Sequence, residues 1–118
     1  MRDHSQLRAF VLADELVLLI YQISRCFPKE EIYGLTSQIR RAVVSVASNI
    51  VEGSARKSQT EYLRFIEIAY GSLKESHYQY TIAVRLGYVP AVDILNCEQK
   101  FTETEKVLAA LIRSLRKH

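Results

Sequence analysis

The sequence predicts an all-α fold, an antiparallel up-down four-helix bundle that forms a single domain over residues 1–118. Apolar residues recur at three- and four-residue steps through four long stretches, the spacing typical of amphipathic helices. The chain holds only four Gly and two Pro, fewer turn-forming residues than a many-stranded sheet protein needs. Because the connections between the stretches are short, consecutive helices are expected to pack as antiparallel neighbours.

The first two predicted helices cover approximately residues 5–26 and 36–54. The apolar stripe of the first contains Phe10, Ala13, Val17 and Ile20. Pro28 ends that helix, because proline disfavours the α conformation in the residue before it. One face of the second helix carries Ile39, Val43, Val46 and Ile50. Gly53 then fits either a helix stop or a point of close backbone approach.

The third and fourth helices are predicted over approximately residues 59–86 and 91–116. Ser58 begins the third as the first residue of a capping box, in which its hydroxyl accepts from the amide of Glu61. The 3-4-3-4 seam of this helix consists of Leu63, Ile66, Tyr70, Leu73, His77, Tyr80 and Val84. Gly87 is expected to end the helix before the fourth begins.

Positive charge is concentrated around the second helix and the turn after it. The whole chain has 16 Lys and Arg against 13 Asp and Glu, a net charge of +3, which permits acidic or nucleic-acid partners without requiring them. Residues 36–58 alone contribute four basic side chains against one acidic. The candidate nucleic-acid-binding residues are therefore Arg40, Arg41, Arg56 and Lys57, together with Arg113, Arg116 and Lys117 at the end of the fourth helix.

No pattern in the sequence supports a catalytic, metal or cofactor site. Glu75 and His77 are two residues apart, so on a helix they point in different directions and cannot form the Glu-x-x-His pair of a di-iron bundle. The four glycines stand alone, without a phosphate-binding loop. A cysteine–histidine nucleophile pair stays open, because Cys26 or Cys97 could lie near His77, but packing roles are favoured for both thiols. We therefore expect no enzyme activity and no cofactor.

Polar residues on otherwise apolar helix faces raise two further questions. His77 occupies a seam position, where a buried neutral imidazole with a hydrogen-bond partner is expected and a pH-sensing role is the alternative. Asn49 and Glu52 share one face of the second helix, and Glu75 lies on the third. Because buried polar groups must be paired, these three side chains are expected to form a network between the two helices, with ligand or partner binding as the alternative.

The spaced residues of the chain as a whole resemble a known bacterial family. The positions that carry the resemblance are Phe27-Pro28, Glu31, Tyr33 to Ala42, Ser45-Val46, Ser48-Asn49-Ile50, Glu52-Gly53, Arg56, Glu61, Phe65, Ala69, Gly71-Ser72-Leu73, Glu75 and Leu86-Gly87-Tyr88. This pattern is similar to the four-helix-bundle proteins whose genes were first noticed in intervening sequences within large-subunit ribosomal RNA genes. That family is related to the accessory variability determinant of diversity-generating retroelements.

The resemblance implies a homopentamer, in which five bundles surround a central axis as a barrel with a narrow channel. It also implies binding to structured RNA or DNA. In the retroelement relatives this accompanies contact with a reverse transcriptase, a partner expected here only if one is encoded nearby. No catalytic activity goes with the family. Where relatives carry a second Glu two positions later, this chain has His77 after Glu75, so an acidic pair is not expected there.

Two functions follow from these observations. The first is a non-enzymatic homo-oligomer that binds structured RNA or DNA through repeated basic patches, since several weak patches on one polyanion act at high effective concentration. The alternative is a protein–protein assembly or adaptor module without nucleic-acid binding. The longest apolar run near the N-terminus, residues 16–20, is far shorter than the roughly 20 residues of a membrane span. We therefore expect a cytoplasmic protein without a targeting or membrane segment.

Overall fold

Four long helices form the fold in the computed structural model, which describes residues 2–117. Helix α1 runs Arg8–Ser24, α2 Leu35–Ser54, α3 Gln59–Arg85 and α4 Ala91–Arg116. Single 3-10 turns at His4–Gln6 and Lys29–Glu31 complete the regular structure, and no strand occurs among the described residues. The prediction of an all-α chain with four helices is confirmed.

The four helices close into a ring, because each packs against its neighbours in the chain and α1 also packs against α4. Neighbouring helices run antiparallel. On α3 and α4, for example, Glu67 contacts Arg116 whereas Tyr80 contacts Ile94, so residue numbers rise on one helix as they fall on the other. The bundle is elongated, with extents of 44 × 26 × 20 Å. No helix in residues 2–117 is both long and apolar enough to cross a bilayer.

The core is built from the apolar stripes of all four helices. Tyr80 and Phe101 are its largest fully buried side chains, with ring centroids 5.2 Å apart. The Tyr80 hydroxyl donates to the carbonyl oxygen of Ile94 at 3.1 Å, so this polar group in the core is satisfied. The other large, fully buried side chains are Leu12, Leu16, Ile20, Ile39, Val43, Val46, Ile50, Ile66, Leu73 and Leu108.

The inward face of α3 differs from the predicted seam at every second position. Ile66, Leu73 and Tyr80 are fully buried, as predicted. The other positions that reach the centre hold the small residues Ala69, Ser76 and Ala83, each three positions after one of these. The larger residues predicted there, Tyr70, His77 and Val84, are only partly buried. A small side chain on a closely packed helix is covered completely, whereas a longer one beside it extends to the rim of the contact.

Helices α2 and α3 approach each other closely at Gly53. A Cβ atom at this position would lie 2.9 Å from Phe65 Cβ and 3.2 Å from Tyr62 Cδ1. Gly53 is buried and still within α2, which continues to Ser54. Of the two roles that the sequence allows for this glycine, the structure therefore assigns it close backbone approach.

The helix ends follow the predicted chemistry with one exception. The Ser58 hydroxyl accepts from the Glu61 amide at 3.1 Å, as the capping box predicts. Gly87 has a φ of +78°, the left-handed conformation that favours glycine and ends a helix. The exception is α1, which begins at Arg8 and not near residue 5. Asp3 accounts for this, because its carboxylate caps a separate 3-10 turn before α1.

Glu31 ties the α1–α2 connection to the turn between α3 and α4. One of its carboxylate oxygens accepts from the Leu35 amide at 3.0 Å, which caps the start of α2. The other accepts from the Tyr88 hydroxyl, also at 3.0 Å. The Tyr88 ring packs against Phe27, with centroids 5.6 Å apart. Several residues that carry the family resemblance therefore meet at this end of the bundle.

Replacing Gly53 with Ala tests the close approach of α2 and α3. Because the added methyl group would overlap Phe65 and Tyr62, we expect the free energy of unfolding to fall by about 1–3 kcal/mol. Gly71→Ala is the matched control, since nothing lies within 4 Å of a Cβ atom at that helical position. It should raise the free energy of unfolding by roughly 0.5–1 kcal/mol. Urea denaturation measures both, and equal effects would contradict a tight α2–α3 contact.

Candidate nucleic-acid interface

Three segments of the chain meet at one end of the bundle, which we call the basic end. It comprises residues 2–8, residues 52–67 around the α2–α3 turn, and residues 110–117 at the end of α4. These segments carry eight Lys and Arg against four Asp and Glu, whereas the rest of the chain has eight against nine. The positive excess of the whole protein therefore lies at this end.

Arg2 holds the N-terminal segment against the α2–α3 turn. Its backbone N–H donates to the carbonyl oxygen of Ser54 at 3.2 Å, and its guanidinium donates to the carbonyl oxygen of Arg56 at 2.8 Å. The same guanidinium lies over the Tyr62 ring, 4.2 Å from its centroid, a distance typical of a cation–π contact. These contacts join residues that are more than fifty positions apart in the sequence.

The end of α4 is joined to the start of α3 by two side-chain contacts. The Gln59 side-chain amide donates to the carbonyl oxygen of Leu115 at 3.4 Å. Arg116 forms an ion pair with Glu67, with 2.6 Å between Nη2 and Oε2. The basic residues at the end of α4 are thereby placed beside those of the α2–α3 turn.

Guanidinium groups cover the aromatic rings of the basic end. Arg2 lies over Tyr62, and Arg56 and Arg64 each lie 4.9 Å from the centroid of the Phe65 ring. Tyr62 is itself buried and Phe65 is half-buried. The aromatic faces at this end are therefore already in contact with cations of the same chain.

The cations of the basic end include both held and free side chains. Two of the candidate residues are held in ion pairs, Arg56 with Glu52 and Arg116 with Glu67. The side chains of Lys57 and Arg113 are exposed, and in residues 2–117 neither side chain takes part in a hydrogen bond or an ion pair. Lys117 is also exposed. The free cations are the ones whose charge is fully available to an external anion.

Arg40 and Arg41 lie near the start of α2, about 22–24 Å along the helix axis from Arg56. Arg40 fastens α1 to α2, because its Nε donates to the Ser24 hydroxyl at 2.8 Å and its guanidinium lies 4.7 Å from the centroid of the Tyr21 ring. Arg41 is exposed and lines a shallow recess between α2 and α3. The sequence groups these two residues with Arg56 and Lys57 because they are close along the chain. The structure instead places them far from those residues, toward the other end of α2.

The three residues of the predicted polar network make separate contacts. Asn49 bonds to Ser45, Glu52 to Arg56 and Glu75 to Gln79, in each case four residues away on the same helix or its end. Among the described residues, none of the three bonds to another. The hydrogen bond that links α2 to α3 is instead formed by the hydroxyls of Ser45 and Ser72, 2.9 Å apart.

The two cysteines occupy different environments. Cys97 is fully buried in the core, and this burial raises the pKa of its thiol to about 11. Cys26 is exposed just after α1, and the two thiols are not joined in a disulfide. Within residues 2–117, no group of three or more His, Cys, Asp and Glu side chains is placed to hold a metal ion.

Thiol labelling tests this difference between the cysteines. We expect a disulfide reagent to modify one thiol per native chain rapidly, because Cys26 is accessible whereas Cys97 is buried and protonated at neutral pH. The second thiol should react only after denaturation. In Cys26→Ser the rapid phase should disappear, and rapid labelling of that variant would contradict the burial of Cys97.

Comparisons with known proteins connect this fold to a family. A crystal structure of a protein with unknown function from the S23 ribosomal protein family of Bacteroides thetaiotaomicron matches this chain with a TM-score of 0.80. The match has 21% sequence identity and covers 89% of this chain and 95% of that chain, so it shows a shared fold. Among curated proteins, none matches. The family model of the 23S rRNA-intervening sequence protein matches residues 5–110, and the chain therefore belongs to that family, in agreement with its sequence pattern.

Proposed function

We propose that this protein is a non-enzymatic homo-oligomer that binds structured RNA or DNA, and that its basic end contacts the phosphates. The observation that carries the proposal is the meeting of three segments with eight basic and four acidic side chains at one end of the bundle. Phosphate contacts supply most of the affinity of sequence-independent binding. Lys57, Arg113 and Lys117 are the exposed cations that would make them.

The covered aromatic rings favour a structured ligand over a single strand. Proteins that bind single strands without sequence preference stack the bases on exposed aromatic side chains. At the basic end, Tyr62 is buried and Phe65 lies under two guanidinium groups. The exposed tyrosines of residues 2–117 are Tyr21, Tyr33 and Tyr78, which lie on other parts of the bundle. The basic end is therefore suited to the regularly spaced phosphates of a helical nucleic acid.

Self-association is part of the proposal, because one basic end offers few free cations. The family resemblance suggests five copies, which at +3 each would give the particle a charge of +15. Binding of several basic ends to one polyanion raises the effective concentration of each. Apolar side chains at least one-third exposed along the sides of the bundle offer surface for such packing; they include Val11, Leu18, Val44, Val51 and Ile68.

Protein assembly without nucleic-acid binding is the second candidate, and the end opposite the basic end favours it. Five apolar side chains there are more than half exposed: Ile32, Tyr33, Leu86, Val92 and Leu95. A protein partner could cover these side chains, and a reverse transcriptase encoded nearby would be one such partner. The basic residues would then serve solubility or intersubunit ion pairs.

Charge reversal at the basic end tests the proposed function. We expect Lys57→Glu/Arg113→Glu to weaken binding to an RNA duplex of about two turns by tenfold or more at 0.15 M salt. The slope of log K against log salt should become shallower by about 0.7–0.9 for each phosphate that the double variant no longer neutralises. Fluorescence anisotropy over a salt series measures both quantities.

The matched control is Arg25→Glu/Lys29→Glu, which changes the net charge by the same amount at the opposite end of the bundle. It should retain most of the affinity and the salt slope. Equal losses in the two double variants would show a net-charge effect and remove the basic end as the site. No binding by the unaltered protein at physiological salt would favour the assembly role.

The native mass tests the homo-oligomer separately from nucleic-acid binding. Five copies of the 13.6 kDa chain give about 68 kDa, and we expect sedimentation equilibrium to return this mass without added nucleic acid. A 13.6 kDa species throughout the micromolar range would contradict self-association. A different multiple would retain the multivalent argument and correct the number of subunits.

A further inference from the structure

His77 lies at the rim of the α3–α4 contact with a carboxylate at each ring nitrogen. Its Nδ1 is 2.7 Å from Glu105 Oε2, and its Nε2 is 3.0 Å from Glu98 Oε1. The two glutamates are two turns apart on α4, and Phe101 lies between them. The Phe101 ring stacks on the imidazole with 4.6 Å between centroids and 6° between planes. The side chains of His77 and Glu105 are only 21% and 15% exposed.

The two contacts specify a protonation state. An ionised carboxylate accepts hydrogen bonds and donates none, whereas neutral imidazole has one N–H and one bare nitrogen. Both contacts can be hydrogen bonds to ionised carboxylates only if both nitrogens of His77 carry a proton. A neutral ring would turn a lone pair toward one of the carboxylates. The geometry therefore favours the imidazolium form, in contrast to the neutral imidazole expected from the seam position.

Of the two carboxylates, Glu98 depends more on His77 for a compensating positive charge. Lys74, on α3, places its Nζ 3.6 Å from Glu105 Oε2 and balances part of that charge. Glu98 contacts no cation other than His77 among the described residues. Two other titratable groups lie nearby. Tyr78 lines a surface recess together with Lys74 and His77, and the ring centroid of Tyr80 lies 6.4 Å from that of His77. In residues 2–117, α1 and α2 add no charged partner to the cluster.

We propose that His77, Glu98 and Glu105 form a pH-sensitive clasp between α3 and α4, closed while His77 is protonated and weakened when it is neutral. The clasp spans two turns of α4, so its two arms act on the same helix contact at separate points. It is a property of the bundle itself and does not depend on the proposed nucleic-acid binding.

The direction of the pH effect follows from the environment of His77. Burial acts to lower the pKa of His77, but the hydrogen bonds and charges of Glu105 and Glu98 outweigh it and raise the pKa above its ordinary value of 6.5. A group with a raised folded-state pKa contributes its full stabilisation below the unfolded-state pKa. That contribution is lost as the pH rises through the folded-state pKa. The clasp is therefore expected to be closed below pH 6.5 and to weaken at higher pH.

An NMR titration of the full chain between pH 5 and 9 tests the clasp directly. The chain has three histidines, and the His77 signal is the one that disappears in His77→Gln. We expect its pKa to lie above 6.5 in the unaltered protein and to fall in both Glu98→Gln and Glu105→Gln. Glu103→Gln is the matched control, because Glu103 lies on the same helix but pairs with Arg8. A His77 pKa at or below 6.5, or one unchanged by both variants, would overturn the proposal.

The pH dependence of stability supplies a second, independent readout. At one protein concentration, the ratio of the unfolding constants of His77→Gln and the unaltered protein should fall as the pH rises above 6.5. Its total change should be about tenfold for each unit by which the His77 pKa exceeds 6.5. Parallel stability profiles for the two proteins would overturn the clasp, whatever the absolute stability of the variant.

Discussion

The close packing of α2 against α3 is the constraint on which the basic end depends. Because Gly53 has no side chain, Tyr62 and Phe65 can pack directly against α2 at this position. The turn that follows is short, so Arg56 is placed against the Phe65 ring while its carbonyl oxygen accepts from Arg2. A wider separation of the two helices would break these contacts together, and the N-terminal segment would lose its attachment to the turn.

Much of the fold could be predicted because local chemistry and helical periodicity act over a few residues. The Ser58 cap and the Gly87 stop depend only on neighbouring positions, and both occur where expected. The inward face of α3 was harder to predict, since periodicity alone does not distinguish position 69 from position 70. The choice between Ala69 and Tyr70 is made by the distance to the neighbouring helices, which appears only in three dimensions.

The candidate site was predictable in composition and not in arrangement. Counting charges along the chain identifies the basic residues, but it groups Arg40 with Arg56, although the two lie about 24 Å apart along the axis of α2. Counting charges also cannot show that the Arg40 side chain is hydrogen-bonded to Ser24 and lies over the Tyr21 ring. The partners of His77 lie on another helix, and the up-down order alone does not specify which side chains of α4 meet it.

The cations resting on Tyr62 and Phe65 have a consequence for the kind of contact that this protein would make. Proteins that bind single strands without sequence preference stack the unpaired bases on exposed aromatic side chains. Here those surfaces are already taken by the chain's own arginines. Under the proposed function, a folded RNA bound at this end would therefore keep its base pairs, and the protein would hold an existing RNA structure without separating its strands.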